Sequence, residues 1–312
     1  MNQADAPEAP AKLDETVTPA KREVSLRTVV HAPKGARYET YESIGSVYRG
    51  EEAAREGMNM NGIELPARVW HTTPRPPALE AGVVHVWRTT LQPKREWVTA
   101  LKDILNSEER TRAARYVRPH DRDAFIVARG TLRRIMGGYL WLAPQALKFD
   151  YNEFGKPYLR NGGASPPLHF NVSHSGAFAL YAFSIDGRIG IDVEQMRSDV
   201  ELESIAQRYF ARAEALELCA LPQEHQLAAF FHCWVRKEAY LKASGRGIGA
   251  GLDRFEVPVA LDEVPGKVRA TEFAPGEPEW WIHDIPLSRD YAAALVLEGI
   301  LREVKYWIYE GG

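Results

Sequence analysis

Asp192 and Glu194 stand two residues apart in Gly190-Ile191-Asp192-Val193-Glu194, at the end of a strand-like run. A strand sends residues i and i+2 to one face, so the two carboxylates point together while Ile191 and Val193 turn to the core. Side by side, two carboxylates repel unless a cation or a proton lies between them. Hard oxygen ligands of this kind suit Mg2+, which takes one or two carboxylates and completes its shell with water and phosphate. Taken alone, the pair is also what a solvated strand end looks like.

A second group lies in WVRKEAYLK, residues 234–242, inside a long helical pattern. Trp234, Glu238, Leu241 and Gly245 share a face. Glu238 and Lys242 are i, i+4 neighbours, and taken alone they read as an ordinary helix salt pair. Lys237, one residue before Glu238, points about 100° away on the helix and is not expected to share its role. A third group is FNVSHS, residues 170–175, preceded by GKPYL at 155–159. Asn171, Ser173 and His174 gather hydrogen-bonding side chains where a strand is expected to end in a turn. A Ser–His nucleophile is disfavoured, because adjacent strand residues face opposite ways and no GxSxG elbow occurs. Ligand hydrogen bonding or a structural turn remain. Last comes a run of arginines: Arg110, Arg112, Arg115, Arg118, Arg122, Arg129, Arg133 and Arg134. Arg118 and His120 flank Pro119 just before a helix, and cations at a helix N-terminus make a phosphate site. Interspersed acids also allow a solvated face.

The elements that must position these groups can be read along the chain. Residues 1–25, rich in Ala, Pro, Glu and Lys, are expected to be disordered. Residues 26–80 alternate strand-like pieces such as 26–30 with Gly and Pro breaks, and TTPRPP at 72–77 resembles a linker. From Gly82 the pattern sharpens. A strand over 83–87 leads to helices over 97–105, 107–116 (Ser107 as N-cap) and 121–140. Strands follow at 147–151, 157–159, 168–173, 178–184 and 188–194. The order then repeats: helices over 201–210, 211–218 and 223–244, and strands at 254–257, 268–273, 280–285, 291–297 and 304–309. SHSGAFALYAF (173–183) echoes SRDYAAALVLE (288–298), which favours two related α+β halves with a ligand site at their seam.

Composition excludes little but bounds the rest. With 312 residues, 45% hydrophobic and 26% charged, the chain can bury a sizeable core. No apolar run approaches the ~20 residues of a membrane helix, and the acid-bearing N-terminus is unlike a signal or transit peptide. Two cysteines, Cys219 and Cys233, argue for a reducing cytoplasm. A net charge of −3 without a recognition motif argues against nucleic acid.

Order and spacing together resemble the Sfp-type phosphopantetheinyl transferases, the larger pseudodimeric class. The likeness runs from about Gly82 to the C-terminus, with its specific part in Gly155 to Gly245. The family's signatures G-[IV]-D-x-E and [FW]-[SCT]-x-K-E-A-x-x-K read here as Gly190 to Glu194 and Trp234 to Lys242, with GKP and SHS upstream. Val235 departs from the small hydroxyl or thiol residue usual there.

The resemblance implies an α+β pseudodimer with the active site between its halves, residues 82–187 and 188–312; the largely irregular, partly disordered extension, 1–81, lies outside the family pattern. It implies transfer of 4'-phosphopantetheine from coenzyme A to a serine of an apo carrier protein (acyl, peptidyl or aryl), by a monomer. Asp192, Glu194 and Glu238 would hold Mg2+. Asp192, Glu238 and Lys242 would carry the catalysis. Lys156, Asn171, Ser173, His174 and Lys242 would contact coenzyme A, with Arg118 and His120 near its 3'-phosphate. Two other readings stay open: a non-catalytic binder of carrier proteins or coenzyme A, and a different Mg2+-dependent enzyme acting on a nucleotide diphosphate.

Overall fold

The computed structural model describes residues 70–92, 94–160, 167–247, 251–261, 265–270 and 277–310. The expectations for residues 1–69, including disorder over 1–25 and a strand over 26–30, lie outside the described residues, as does the outer part of the strand expected over 268–273. The described fold is α+β.

Strand β1 (Trp70–Thr72) precedes β2 (Val83–Thr90). Three helices follow: α1 (Arg95–Asp103), α2 (Ser107–Ala114) and α3 (Pro119–Leu140). The hairpin β3 (Phe149–Tyr151) and β4 (Pro157–Leu159) leads into β5 (His169–Ser175) and β6 (Phe178–Ser184). The second run opens with β7 (Ile189–Gln195) and continues through α4 (Leu202–Tyr209), α5 (Arg212–Ala220) and α6 (Gln223–Ser244). Short strands β8 (Phe255–Glu256), β9 (Gly266–Lys267) and β10 (Arg269–Ala270) come before β11 (Trp280–Asp284), β12 (Tyr291–Glu298) and β13 (Glu303–Ile308).

Two sheets carry the architecture. One has the order β1-β13-β2-β6-β5, the other β7-β12-β11-β9. Each has an apolar face against its own helices. Trp87, Tyr181 and Phe183 meet Leu101, Leu132 and Ile135 in the first layer. Phe230, Val235 and Tyr240 meet Ile282, Ala294 and Val296 in the second. The opposite faces pack on each other, joining Val84, Val86 and Leu180 to Ile189, Ile191, Val193 and Leu295. These strands are therefore buried on both faces and read as near-continuous apolar runs.

Two expectations need revision, and a third gains detail. Ser107 is not the cap of α2: Asn106 is, its Oδ1 accepting from Glu109 N at 2.8 Å while Glu109 Oε2 accepts from Asn106 N at 3.0 Å. β5 does not turn at Ser173 but continues to Ser175, the turn falling at Gly176, whose φ is +54°. The segment before residue 82 is not wholly irregular. β1 runs parallel to β13, Trp70 Nε1 donates to Pro286 O at 2.7 Å, and Pro76 lies against Gly138 of α3. β13 itself lies in the first sheet, parallel to β2, although it ends the second run of elements.

Candidate active site

β5 and β7 are the facing edges of the two sheets. Their alternate residues meet through side chains where a sheet would use backbone. Asn171 Oδ1 accepts the N–H of Ile191 at 2.8 Å. Ser173 Oγ donates to Asp192 Oδ1 at 2.7 Å. Ser175 Oγ donates to Glu194 Oε2 at 2.8 Å and accepts from Gln195 N at 3.1 Å. The period-2 geometry of a strand puts 171, 173 and 175 in line for this. Ser175 was not among the expected site residues, but the alternation Asn-x-Ser-x-Ser carries the signal.

Helix α6 lies directly on β7. A Cβ at Gly190 would collide with Ala239 O and with Ala243 N, so only glycine permits this approach. Lys242 thereby brings Nζ to 2.6 Å from Asp192 Oδ1, 3.0 Å from Ser173 Oγ and 3.3 Å from Ile191 O. Glu238 lies one turn earlier on α6, buried like Asp192. Burial, and then the charge of Asp192, pushes the Glu194 carboxyl up to about 8 and the Glu238 carboxyl up to about 7. Three acids thus share one electrostatic environment with one ammonium. Asp192 Oδ2 is buried without a hydrogen-bond partner.

That orphaned oxygen, with two further carboxylates beside it, fits a hard divalent cation. Among the described residues, no three His, Cys, Asp or Glu side chains are spaced so that together they could hold a metal ion. The set fits a cation that keeps most of its shell for water and phosphate, as Mg2+ does.

The remaining expected residues are distributed around this core. His174 faces away from Ser173 on β5; burial and the charges of Lys242 and Arg112 hold its imidazole down to about 4, neutral at pH 7. Lys156 Nζ donates to Ile189 O at 3.2 Å and Ala243 O at 3.4 Å, and burial with the nearby Arg188 charge holds it down to about 8. Arg118 and His120 are exposed at the start of α3, on an element apart from the acids. Much of the arginine run is structural. Arg129 and Arg133 both bind Glu109, at 2.5 and 2.7 Å, and Arg134 lies 4.4 Å from the centre of the Trp97 ring. Lys237 is fully buried on another side of α6, 2.6 Å from Glu214 Oε2.

A family model described as the 4'-phosphopantetheinyl transferase superfamily matches residues 188–296. A second, described as 4'-phosphopantetheinyl transferase, N-terminal, matches residues 87–185. The 4'-phosphopantetheinyl transferase HetI of Nostoc sp. is 38% identical over 238 residues, 76% of this chain and 97% of that protein. The chain belongs to the 4'-phosphopantetheinyl transferase superfamily. Within the family, the 4'-phosphopantetheinyl transferase Sfp of Bacillus subtilis is 31% identical over 159 residues, 51% of this chain and 68% of its own length. The L-aminoadipate-semialdehyde dehydrogenase-phosphopantetheinyl transferase of Xenopus laevis is 27% identical over 216 residues, 65% of this chain and 70% of its own. The two transferase models meet between residues 185 and 188, where the chain passes from the first sheet to the second. The carboxylate cluster of the transferase draws on both sides of that boundary, Ser173 and Ser175 from one and Asp192, Glu194, Glu238 and Lys242 from the other.

Proposed function

We propose that this enzyme transfers the 4'-phosphopantetheine arm of coenzyme A to the serine of an apo carrier protein, with Mg2+, and releases adenosine 3',5'-bisphosphate. The single observation that carries this reading is the Asp192–Lys242 pair at 2.6 Å, with the unpartnered Asp192 Oδ2 beside Glu194 and Glu238, in a member of this family. The serine oxygen bonds to the phosphorus that bears pantetheine, the P–O bond of the pyrophosphate breaks, and the serine proton leaves.

Asp192, Glu194 and Glu238 would hold Mg2+, and the ion would supply neutralisation of the pyrophosphate charge. Glu238, buried one turn before Lys242 on α6, is the carboxylate assigned to receive the serine proton. Lys242 meets the charge that grows on the phosphate in the transition state. Asn171 and Ser173 line the seam, and neutral His174 offers a ring nitrogen to the nucleotide end. Arg118 and His120 at the start of α3 are assigned to the 3'-phosphate, where cations and helix N–H groups converge.

No helix among the described residues is long and apolar enough to cross a membrane. Cys219 and Cys233 are free thiols, which supports action in the cytoplasm. The two halves share a construction that supports a common origin: each has a short helix whose early glutamate binds a buried cation of a 22-residue helix. The test is incubation with coenzyme A, Mg2+ and a panel of apo acyl, peptidyl and aryl carrier proteins, read by intact mass. The reading predicts the mass gain of one phosphopantetheine group on at least one carrier, and it fails if no carrier gains it.

A further inference from the structure

The C-terminal end of α6 carries Lys242 in its last turn, and the carbonyls there lack partners within the helix. Leu241 O is met locally, by Gly245 N at 3.0 Å and Ser244 Oγ at 3.2 Å. Those of Ala243, Ser244 and Gly245 are met from outside. Lys156 Nζ donates to Ala243 O, and the same ammonium reaches Ile189 O, the residue before Gly190 in β7. Arg188 donates to Ser244 O at 3.4 Å. Asn152 Nδ2 donates to Gly245 O at 3.4 Å. Asn152 and Lys156 bracket the tip of the β3–β4 hairpin. Asn152 Oδ1 accepts the N–H of Phe154 at 3.0 Å and of Lys156 at 2.8 Å, which fixes the tip as one rigid turn. The Phe154 ring closes on Gly247 just beyond the helix.

We infer that the hairpin tip Asn152–Lys156 is a helix cap lent by the first half to the second, and that Lys156 is a positioning residue which sets the last turn of α6, and with it Lys242, against Asp192. The ammonium is buried between the two elements that carry the chemistry, β7 and α6, and it hydrogen-bonds to a backbone carbonyl of each. A cation also suits the negative end of the helix dipole. Gly190 brings the two elements close enough for one ammonium to bridge them. This rests on the transferase reading for the meaning of Lys242, and it moves Lys156 from donor contact to scaffold.

The experiment compares the full-length chain with Lys156→Met, Lys156→Arg and Asn152→Ala. Expected for Lys156→Met is a kcat lower by about 10- to 100-fold, coenzyme A affinity by calorimetry without carrier within about twofold of the parent, and faster amide exchange at residues 241–245. Lys156→Arg keeps a charged donor and recovers most of kcat. Asn152→Ala loosens the same amides with a smaller loss of kcat. Weakened coenzyme A binding with unchanged exchange in the last turn would overturn the inference in favour of a donor contact. Unchanged kcat and exchange would overturn it outright. Should Lys156→Met not fold, Asn152→Ala decides, since unchanged exchange at 241–245 in that variant refutes the cap. A parent chain that transfers to no carrier sinks the transferase reading instead, while the exchange measurement still tests the cap.

Discussion

Arg133 and Lys237 occupy the same place in two helices of equal length: each is the fifteenth of 22 residues, counted from Pro119 and from Gln223. Both side chains are fully buried. Arg133 binds Glu109 and the carbonyls of Pro144 and Leu147; Lys237 binds Glu214 and the carbonyls of Leu252 and Phe255. At each place the cation ties a long helix to a short one and to the segment that follows the long helix. Removing one partner of such a buried pair strands the other. Lys237→Met is expected to cost about 3–5 kcal/mol, and Lys237→Met with Glu214→Gln to recover much of that loss. Urea midpoints of the single and double variants check this; a single-variant loss below about 1 kcal/mol, the range of an exposed pair, contradicts it.

At the carboxylate cluster, Asp192→Asn keeps the shape but removes the charge that faces Lys242 and the proposed cation. Transfer is expected to fall by about 100-fold or more, comparable to losing one preorganised transition-state contact. Excess Mg2+ should restore little of it, and chelation of the parent enzyme should reproduce the loss. Steady-state transfer across a Mg2+ series gives the answer, and near-parental rates at limiting Mg2+ would refute the assignment.

Gly190→Ala forces a methyl group against the backbone of α6 at Ala239 and Ala243. Neither backbone atom can move as a flexible side chain can, so the helix must shift. Overpacking of this kind costs about 1–3 kcal/mol. A shifted α6 also carries Lys242 away from Asp192, so kcat should fall in protein that is still folded by circular dichroism. A variant with parental stability and rate would show that the close approach is dispensable.

His85 links stability to pH. Its Nδ1 lies 2.7 Å from Tyr139 Oη, and burial, helped by the charge of Lys305, holds its imidazole down to about 4 from 6.5. The unfolded chain therefore takes up a proton more readily than the folded one. The stability is fully present above pH 6.5 and is lost as pH falls towards 4. His85→Gln keeps an acceptor near Tyr139 and cannot protonate, so its urea midpoint should fall less steeply than the parent's between pH 6.5 and 4. Parallel slopes would exclude His85 as a source of acid sensitivity.

A chain that begins at Gly82 loses β1, the Trp70–Pro286 hydrogen bond, the stacking of Arg88 at 4.7 Å from the Trp70 ring centre, and the packing of Leu79 on the first core. It also exposes the edge of β13, and an uncovered edge invites pairing between chains. Such a chain should unfold at lower urea and associate more readily than one beginning at residue 69. Equal midpoints and equal monomer content by light scattering would show that the segment is a passive strap.

Local regularities were legible in the sequence and distant pairings were not. The helix over Gln223–Ser244 was readable to its ends because Pro222 and Gly245 punctuate it. The shared face of Asp192 and Glu194 follows from strand period alone. Nothing in periodicity announces that Asn171, Ser173 and Ser175 replace a backbone ladder across two sheet edges, because that depends on which edges meet. Lys156 was legible as a marked residue in GKP, yet its partners lie 33 and 87 positions away and are backbone atoms. The cap of α2 was misplaced by one residue because Asn106 and Ser107 are both good caps, and only the bond from Glu109 N separates them.

The place of β13 bears on how the molecule comes into being. The first sheet pairs residues 83–90 with residues 178–184, but the strand between β1 and β2 is supplied by residues 303–308. During synthesis, which proceeds from the N-terminus, β2 therefore waits with an open parallel edge until residues 303–308 have left the ribosome. Trp70 and Tyr306, whose rings lie 5.1 Å apart when folding is complete, are among the last neighbours to meet. The first sheet cannot be completed before the second run of elements has been made, and a nascent chain stalled before residue 303 leaves that edge of β2 unpaired.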